Sequence, residues 1–341
     1  MRATHLDGPS HILWSPSLDK FELQIDIQER SRNTDAMMND DALSYYSSQS
    51  PTTDPGGSSR LYEDLPESIA DLCKVCQNVL IHKYRLKYNG RRSYGITLKD
   101  VEHTGRIPAD EYNLVKTEDM LALHQRLRPG PILPERRPID RIVGNCRHYA
   151  VLLTSFLRHR GTPARVRSGC AAYLTPEQPG FFMDHYITEY WDRAEERWIL
   201  VDPQIDARQR KDLRIDFDVH SIPRDRFLVG GVMWKLYREK KADPNRFGIF
   251  GFTGPGYIKF KLVNDIICLN KEEVLPRDGW GLAAKDFLTL TRDDLKRLDC
   301  FSDLSAAVDN SRFREMRETY ESSDDLRRPS DYRHVRWVMP E

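Results

Sequence analysis

Apolar residues along this chain recur first at helical spacing, then in alternation, then at helical spacing again. From Pro66, the positions Ile69, Leu72, Cys73, Cys76, Val79 and Leu80 fall on one face of an amphipathic helix that the pattern carries to Tyr84. Thr117 to Leu127 predicts a second helix, followed by a Pro- and Arg-rich link from Arg128 to Pro138. Gly144 and an Asn145 cap lead into the apolar stretch Ala150 to Leu157, so a helix starts at or near Cys146 and ends near Gly161. Three segments then read as strands: Ala164–Tyr173, Asp184–Trp191 and Arg197–Asp202, the last two joined by a hairpin-length link from Asp192 to Glu196. Helical pattern returns at Pro223 to Glu239, at Tyr257 to Asn270, and toward Leu298 behind Thr291 and Asp294, which form a capping box with aspartate in the usual glutamate place.

The two ends differ from this middle. The first sixty or so residues are polar and irregular, and the turn formers from Ser47 to Ser59 argue against a long helix there, although Phe21 to Ile27 alternates as a short strand would. After Arg312 the composition is polar and the tail is expected to be loose. The fold class expected is α+β: a helix packed on an antiparallel sheet, with a helical C-terminal extension. The expected divisions are an irregular segment 1–60, a main domain 61–290, and a C-terminal helix and polar tail 291–341.

Composition narrows the function. Lys plus Arg equals Asp plus Glu at 52 each, so no overall field favours nucleic acid or an anionic membrane. No basic start with an apolar core opens the chain, and its longest apolar stretch is too short to span a bilayer. A cytoplasmic enzyme is expected. Six cysteines without framework spacing fit a reducing compartment and predict no disulfides.

The candidate chemistry is nucleophilic. A thiol at a helix start is readily ionised, because the macrodipole and unpaired N–H groups stabilise the thiolate. His185 and Asp202 lie on the two strands expected to form the hairpin. His185 can act as the base beside Cys146, and Asp202 can hold the imidazole in the useful tautomer.

These residues carry a resemblance. Gly144-Asn145-Cys146-Arg147, Gly161-Thr162-Pro163-Ala164-Arg165-Val166-Arg167, Asp184-His185-Tyr186 and Trp198 to Gln204 are similar to the transglutaminase-like superfamily, whose core resembles papain-like thiol enzymes. A closer resemblance, to bacterial transglutaminase-domain proteins of unassigned substrate, extends to Asp54-Pro55-Gly56, Leu65-Pro66, Ile215 to Asp218, Ala242 to Gly248 and Leu275 to Gly281. It implies one integrated domain and a catalytic Cys146, His185 and Asp202. The cysteine attacks an amide or other acyl carbon, and water or an amine resolves the acyl-thioenzyme. Two departures stand out: His148 replaces a frequent aspartate and Tyr186 a frequent tryptophan.

The resemblance implies amide hydrolysis or acyl transfer on a small metabolite or peptide. An amide synthase drawing its acyl group from a carrier protein is the first alternative, and a non-catalytic binding module the second. No cofactor, metal, nucleic acid or membrane is implied. The Cys146 backbone N–H is one oxyanion donor, and the side-chain donor is left open.

Each feature alone has a blander explanation. A free cysteine in an apolar helix is commonly core, a lone histidine is commonly structural, and an aspartate before Pro203 commonly serves a turn. Only the ordered set changes this. Cys73 and Cys76 form a C-x-x-C on a buried helix face and read as core, and Cys146 with His148 is a weak metal pair because residues two apart on a helix diverge. The arginines at 136, 137, 141 and 147 read as a solvated basic stretch or as a greeting for an anionic substrate. Asp184 either raises the imidazole pKa or caps a loop. Trp191, Trp198, Trp234, Phe181 and Phe182 either line an acyl pocket or pack the core.

Overall fold

The sheet that carries the candidate site is assembled from strands far apart in sequence, and helices bring their ends together. The computed structural model describes residues 32–339, with side chains from 40 onward. The strand expected at Phe21 to Ile27 lies outside the described residues. Helices are α1 (Arg32–Ser47), α2 (Ile69–Val79), α3 (Lys83–Tyr94), α4 (Thr117–Leu127), α5 (Cys146–His159), α6 (Gly230–Arg238), α7 (Pro255–Leu269), α8 (Arg292–Ala306) and α9 (Phe313–Glu321), with shorter helical turns between them. Strands are β1 (Leu80–His82), β2 (Ile142–Gly144), β3 (Ala164–Ala171), β4 (Phe182–Asp192), β5 (Arg197–Val201), β6 (Phe227–Val229), β7 (Phe247–Ile249) and β8 (Phe252–Thr253).

The fold is α+β. β3, β4 and β5 form an antiparallel set, with Gly169 opposite His185 and Thr188 opposite Val201, and β6 adds antiparallel to β3. The sheet is not purely antiparallel, because β7 runs parallel to the start of β4. The α5 helix lies against β4 and β3, and α7 lies against β3 and is covered in turn by α6 and α8. One apolar core runs from Tyr46 in α1 to Leu326, a continuity that buries nearly all of α5 and α7.

Several local departures from the sequence pattern have visible causes. The helix read through Tyr84 stops at Val79, because Leu80, Ile81 and His82 pair in parallel with Ile142, Val143 and Gly144. The chain then restarts as α3 at Lys83. Phe227 to Val229 interrupts the helix expected from Pro223, since its backbone completes the edge beside β3. Arg32 to Ser47 is helical where irregular chain was expected, and Tyr46 from this helix packs edge-on against Trp198 at 5.5 Å in the core. Thr291 and Asp294 form the capping box that starts α8.

Buried charge ties the sheet to its helices. Glu189 on β4 accepts from Arg165, Arg167 and Arg224, each at 2.7 Å, and Arg167 also reaches Asp265 on α7 at 2.7 Å. Asp265 takes further hydrogen bonds from the Ser168 N–H and the Ser305 hydroxyl. Arg158 on α5 meets Glu273 at 2.8 Å, with both side chains out of solvent. Every carboxylate here has two or more donors, which is the condition under which buried ions persist.

Candidate active site

Asn145 follows β2 in an extended conformation (φ −128°, ψ 176°) and caps α5, leaving Cys146 as the first helical residue. Its amide Nδ2 donates to the Tyr112 carbonyl at 3.1 Å, and its Oδ1 lies 2.9 Å from Nδ1 of His148. The cap thus fixes the start of the helix and the direction of the Cys146 N–H. Cys146 is 7% exposed, so the sulfur sits at the floor of a cleft rather than on the surface.

His185 comes from β4 and Asp202 from the residue just past β5, and the hairpin register brings them together. His185 Nε2 donates to Asp202 Oδ2 at 2.7 Å. The same carboxylate accepts from the Tyr173 hydroxyl at 2.8 Å and, through Oδ1, from the Gln204 N–H at 3.0 Å. With Nε2 committed to Asp202, Nδ1 is the nitrogen left for the thiol. Burial works against charging the imidazole. The Asp202 carboxylate and the neighbouring Cys146 thiol outweigh it, so His185 is pushed up to about 10. Gly169, opposite His185, is required by packing, because a Cβ there would lie 2.8 Å from the Phe227 ring that flanks the imidazole.

The three sequence-chosen residues therefore converge, with Cys146 and His185 both lining a cavity of about 70 Å³. Asp184 does not touch the imidazole. Its carboxylate meets Lys261 at 2.6 Å and the Tyr257 hydroxyl at 2.7 Å. The four arginines are neither a solvated stretch nor a greeting for substrate. Arg136, Arg141 and Arg147 are buried and donate to backbone carbonyls, while the exposed Arg137 pairs with Asp140. Trp198 and Trp234 are fully buried, and none of the five aromatics singled out in the sequence lines the cleft. Cys73 and Cys76 face the core. Among the described residues no group of three or more metal-ligating side chains comes together.

Sequence reasoning missed the opposite wall. The short β1–β2 ladder sets His82 across from Gly144, which places His82, Lys83 and Tyr84 in the cleft beside Cys146. Burial and the Lys83 charge hold the His82 imidazole well below its ordinary range, and its Nδ1 has no hydrogen-bond partner among the described residues. Arg277, Val335 and Trp337 close the remaining side. The tail expected to be loose is anchored: His334 meets Asp278 at 2.6 Å, Asn113 exchanges two hydrogen bonds with the Trp337 backbone, and the Met339 N–H reaches the Tyr112 hydroxyl at 3.0 Å. The apolar residues Val335, Trp337, Val338 and Met339 near the end of a polar tail were the signal available for that contact.

Residues 116–203 match the family model of the transglutaminase-like superfamily, a span that includes α4, α5, the β3–β5 hairpins and all three converging residues. No curated protein matches the chain. Among solved structures, a proposed cysteine protease from Cytophaga hutchinsonii aligns with 14% identity over 54% of this chain and 44% of its own, at a TM-score of 0.26. This chain therefore spans less than half of that one, and a likeness at that level carries no argument. Among the described residues no helix is long and apolar enough to cross a membrane.

Proposed function

We propose that this chain is a cysteine-dependent acyl-transfer enzyme in which Cys146 is the nucleophile, His185 the proton carrier and Asp202 the residue that orients it. The observation that carries this reading is the shared imidazole: Asp202 holds Nε2 at 2.7 Å while the Cys146 thiol, at the first residue of a fourteen-residue helix, lies against the same ring in a cleft. The superfamily match over 116–203 supports a cysteine-dependent enzyme in general. The finer assignment rests on the geometry.

The steps follow from the positions. An imidazolium beside a sulfur at a helix N-terminus favours the thiolate, the nucleophilic form. The sulfur attacks the acyl carbon, an S–C bond forms, and the oxygen takes up negative charge toward the Cys146 N–H. As the bond to the leaving amine or thiol breaks, His185 gives it the proton. Water or an amine acceptor then loses a proton to His185, attacks the thioester carbon and releases Cys146. Asp202 keeps its charge throughout and stabilises the imidazolium. The narrow cavity suits a small acyl group or a peptide end better than a protein face.

The test is capture of the acyl-enzyme: the purified chain is incubated with cell extract, and the Cys146 peptide is weighed. A mass adduct on Cys146, with turnover of the corresponding substrate falling on the order of 10³-fold or more in Cys146→Ala, is expected. Wild-type turnover in Cys146→Ala would end the proposal.

A further inference from the structure

The cleft is lopsided in charge. Lys83, Arg277 and the Asp202-paired His185 line it, against the single carboxylate of Asp184, which Lys261 and Tyr257 already occupy. Lys83 is the first residue of α3 and is 6% exposed. Its ammonium has rings for company: Trp337 at 3.8 Å, Tyr112 at 4.3 Å and Tyr84 at 5.1 Å. The Arg277 guanidinium, half-buried, lies 5.4 Å from the same Trp337 ring and 5.1 Å from Phe252. Among the described residues no carboxylate forms an ion pair with either cation. Other buried cations of this molecule have acceptors: Arg158, Arg165, Arg167 and Lys261 each hold a carboxylate within 2.8 Å, and Arg136, Arg147 and Lys259 donate to backbone carbonyls.

We propose that Lys83 and Arg277, set on the Trp337 ring, form a carboxylate-binding subsite of the Cys146 cleft, so that the acyl substrate carries a free carboxylate near the bond under attack. The proposal rests on the acyl-transfer reading and adds the substrate's chemical class to it. Ring faces keep a cation in place and dry, yet leave its N–H donors unused. A guanidinium and an ammonium on one wall of a cleft repel each other until an anion sits between them, and a planar carboxylate can take donors from both. Burial pushes Lys83 down to about 7; the nearby Cys146 thiol opposes this, and the Arg277 charge adds to it. A bound carboxylate offsets both causes. A group of that size also suits a cavity of about 70 Å³.

Two alkylating probes of the same reach separate this from the parent reading: iodoacetamide, which is neutral, and iodoacetate, which carries the carboxylate. Rates at Cys146 are read by peptide mass in the full chain, in Lys83→Met and in Arg277→Gln. The ratio of iodoacetate to iodoacetamide rates is expected to fall about five-fold in each variant and further in the double variant, and in the wild type it should fall with added salt. A rapid iodoacetamide reaction with a ratio unmoved by either substitution overturns the subsite and leaves the nucleophile standing. Iodoacetamide showing no preference for Cys146 over the exposed Cys300 defeats the nucleophile, and the substrate class with it. Arg277 is half-buried and bonded to no acid among the described residues, so its variant decides the question even if Lys83→Met does not fold.

Discussion

Arg167 and Lys83 are both buried cations, and they are held in opposite ways. Arg167 reaches two carboxylates at 2.7 Å and the Ser305 carbonyl, in a network joining β3, β4, α7 and α8. Lys83, at the wall of the cleft, is held by aromatic faces. The first arrangement satisfies the guanidinium with acids and fixes one packing of helices on the sheet. The second leaves donors unused where a ligand would arrive, and that is how a binding site differs from a scaffold.

Breaking the network gives the larger effect. Arg167→Met removes the cation paired with Asp265 and one of the three on Glu189, both buried, and is expected to cost about 3–5 kcal/mol in a denaturant titration. An effect below that of an ordinary surface substitution would erase the distinction between the two regions.

Acid probes the same network without deleting it. Burial alone would raise Glu189, but Arg165, Arg167 and Arg224 reverse that and hold its carboxyl well below the ordinary 4.5. A lowered value means that the folded state favours the charged form. Its contribution is therefore present above pH 4.5 and is lost as pH falls through the folded value. His185 has the opposite sign: it is raised from 6.5 to about 10, so its pairing with Asp202 helps below pH 6.5 and fades as pH climbs through 10. Thermal unfolding across pH should show a falling acid limb that Arg224→Gln makes shallower. An unchanged limb would mean that Glu189 does not govern it.

The smallest effect is expected at Lys83. Lys83→Met removes a buried charge that no acid balances and gives up cation–π contact, so stability should stay within about 1 kcal/mol of wild type. A loss as large as that of Arg167→Met would make Lys83 a structural cation and bring the two regions together.

The converging residues were legible because each sits in a strong local pattern. Asn145 and Cys146 stand at a helix start, and His185 and Asp202 stand on strands whose short hairpin sets their register. α4 and the α8 capping box were read from the same kind of signal. The opposite wall was not legible. The apolar run through Cys76 and Val79 continues into Leu80 with no break in helical spacing, and only pairing with β2, roughly sixty residues away, turns that stretch into a strand. Likewise the arginine cluster near Cys146 read as a solvated basic stretch or, second, as a contact for substrate, whereas backbone carbonyls take up Arg136, Arg141 and Arg147, and Asp140 pairs with Arg137.

The order of residues by itself determined an α+β chain with a cysteine at a helix start and a histidine and an aspartate on paired strands, because capping and alternation are local properties. Tertiary structure alone decided what faces that cysteine: Lys83 through the β1–β2 ladder, Arg277 from the loop after α7, and Trp337 from the anchored tail. Contacts between segments so distant are set by how whole faces bury against each other, and no local pattern encodes that.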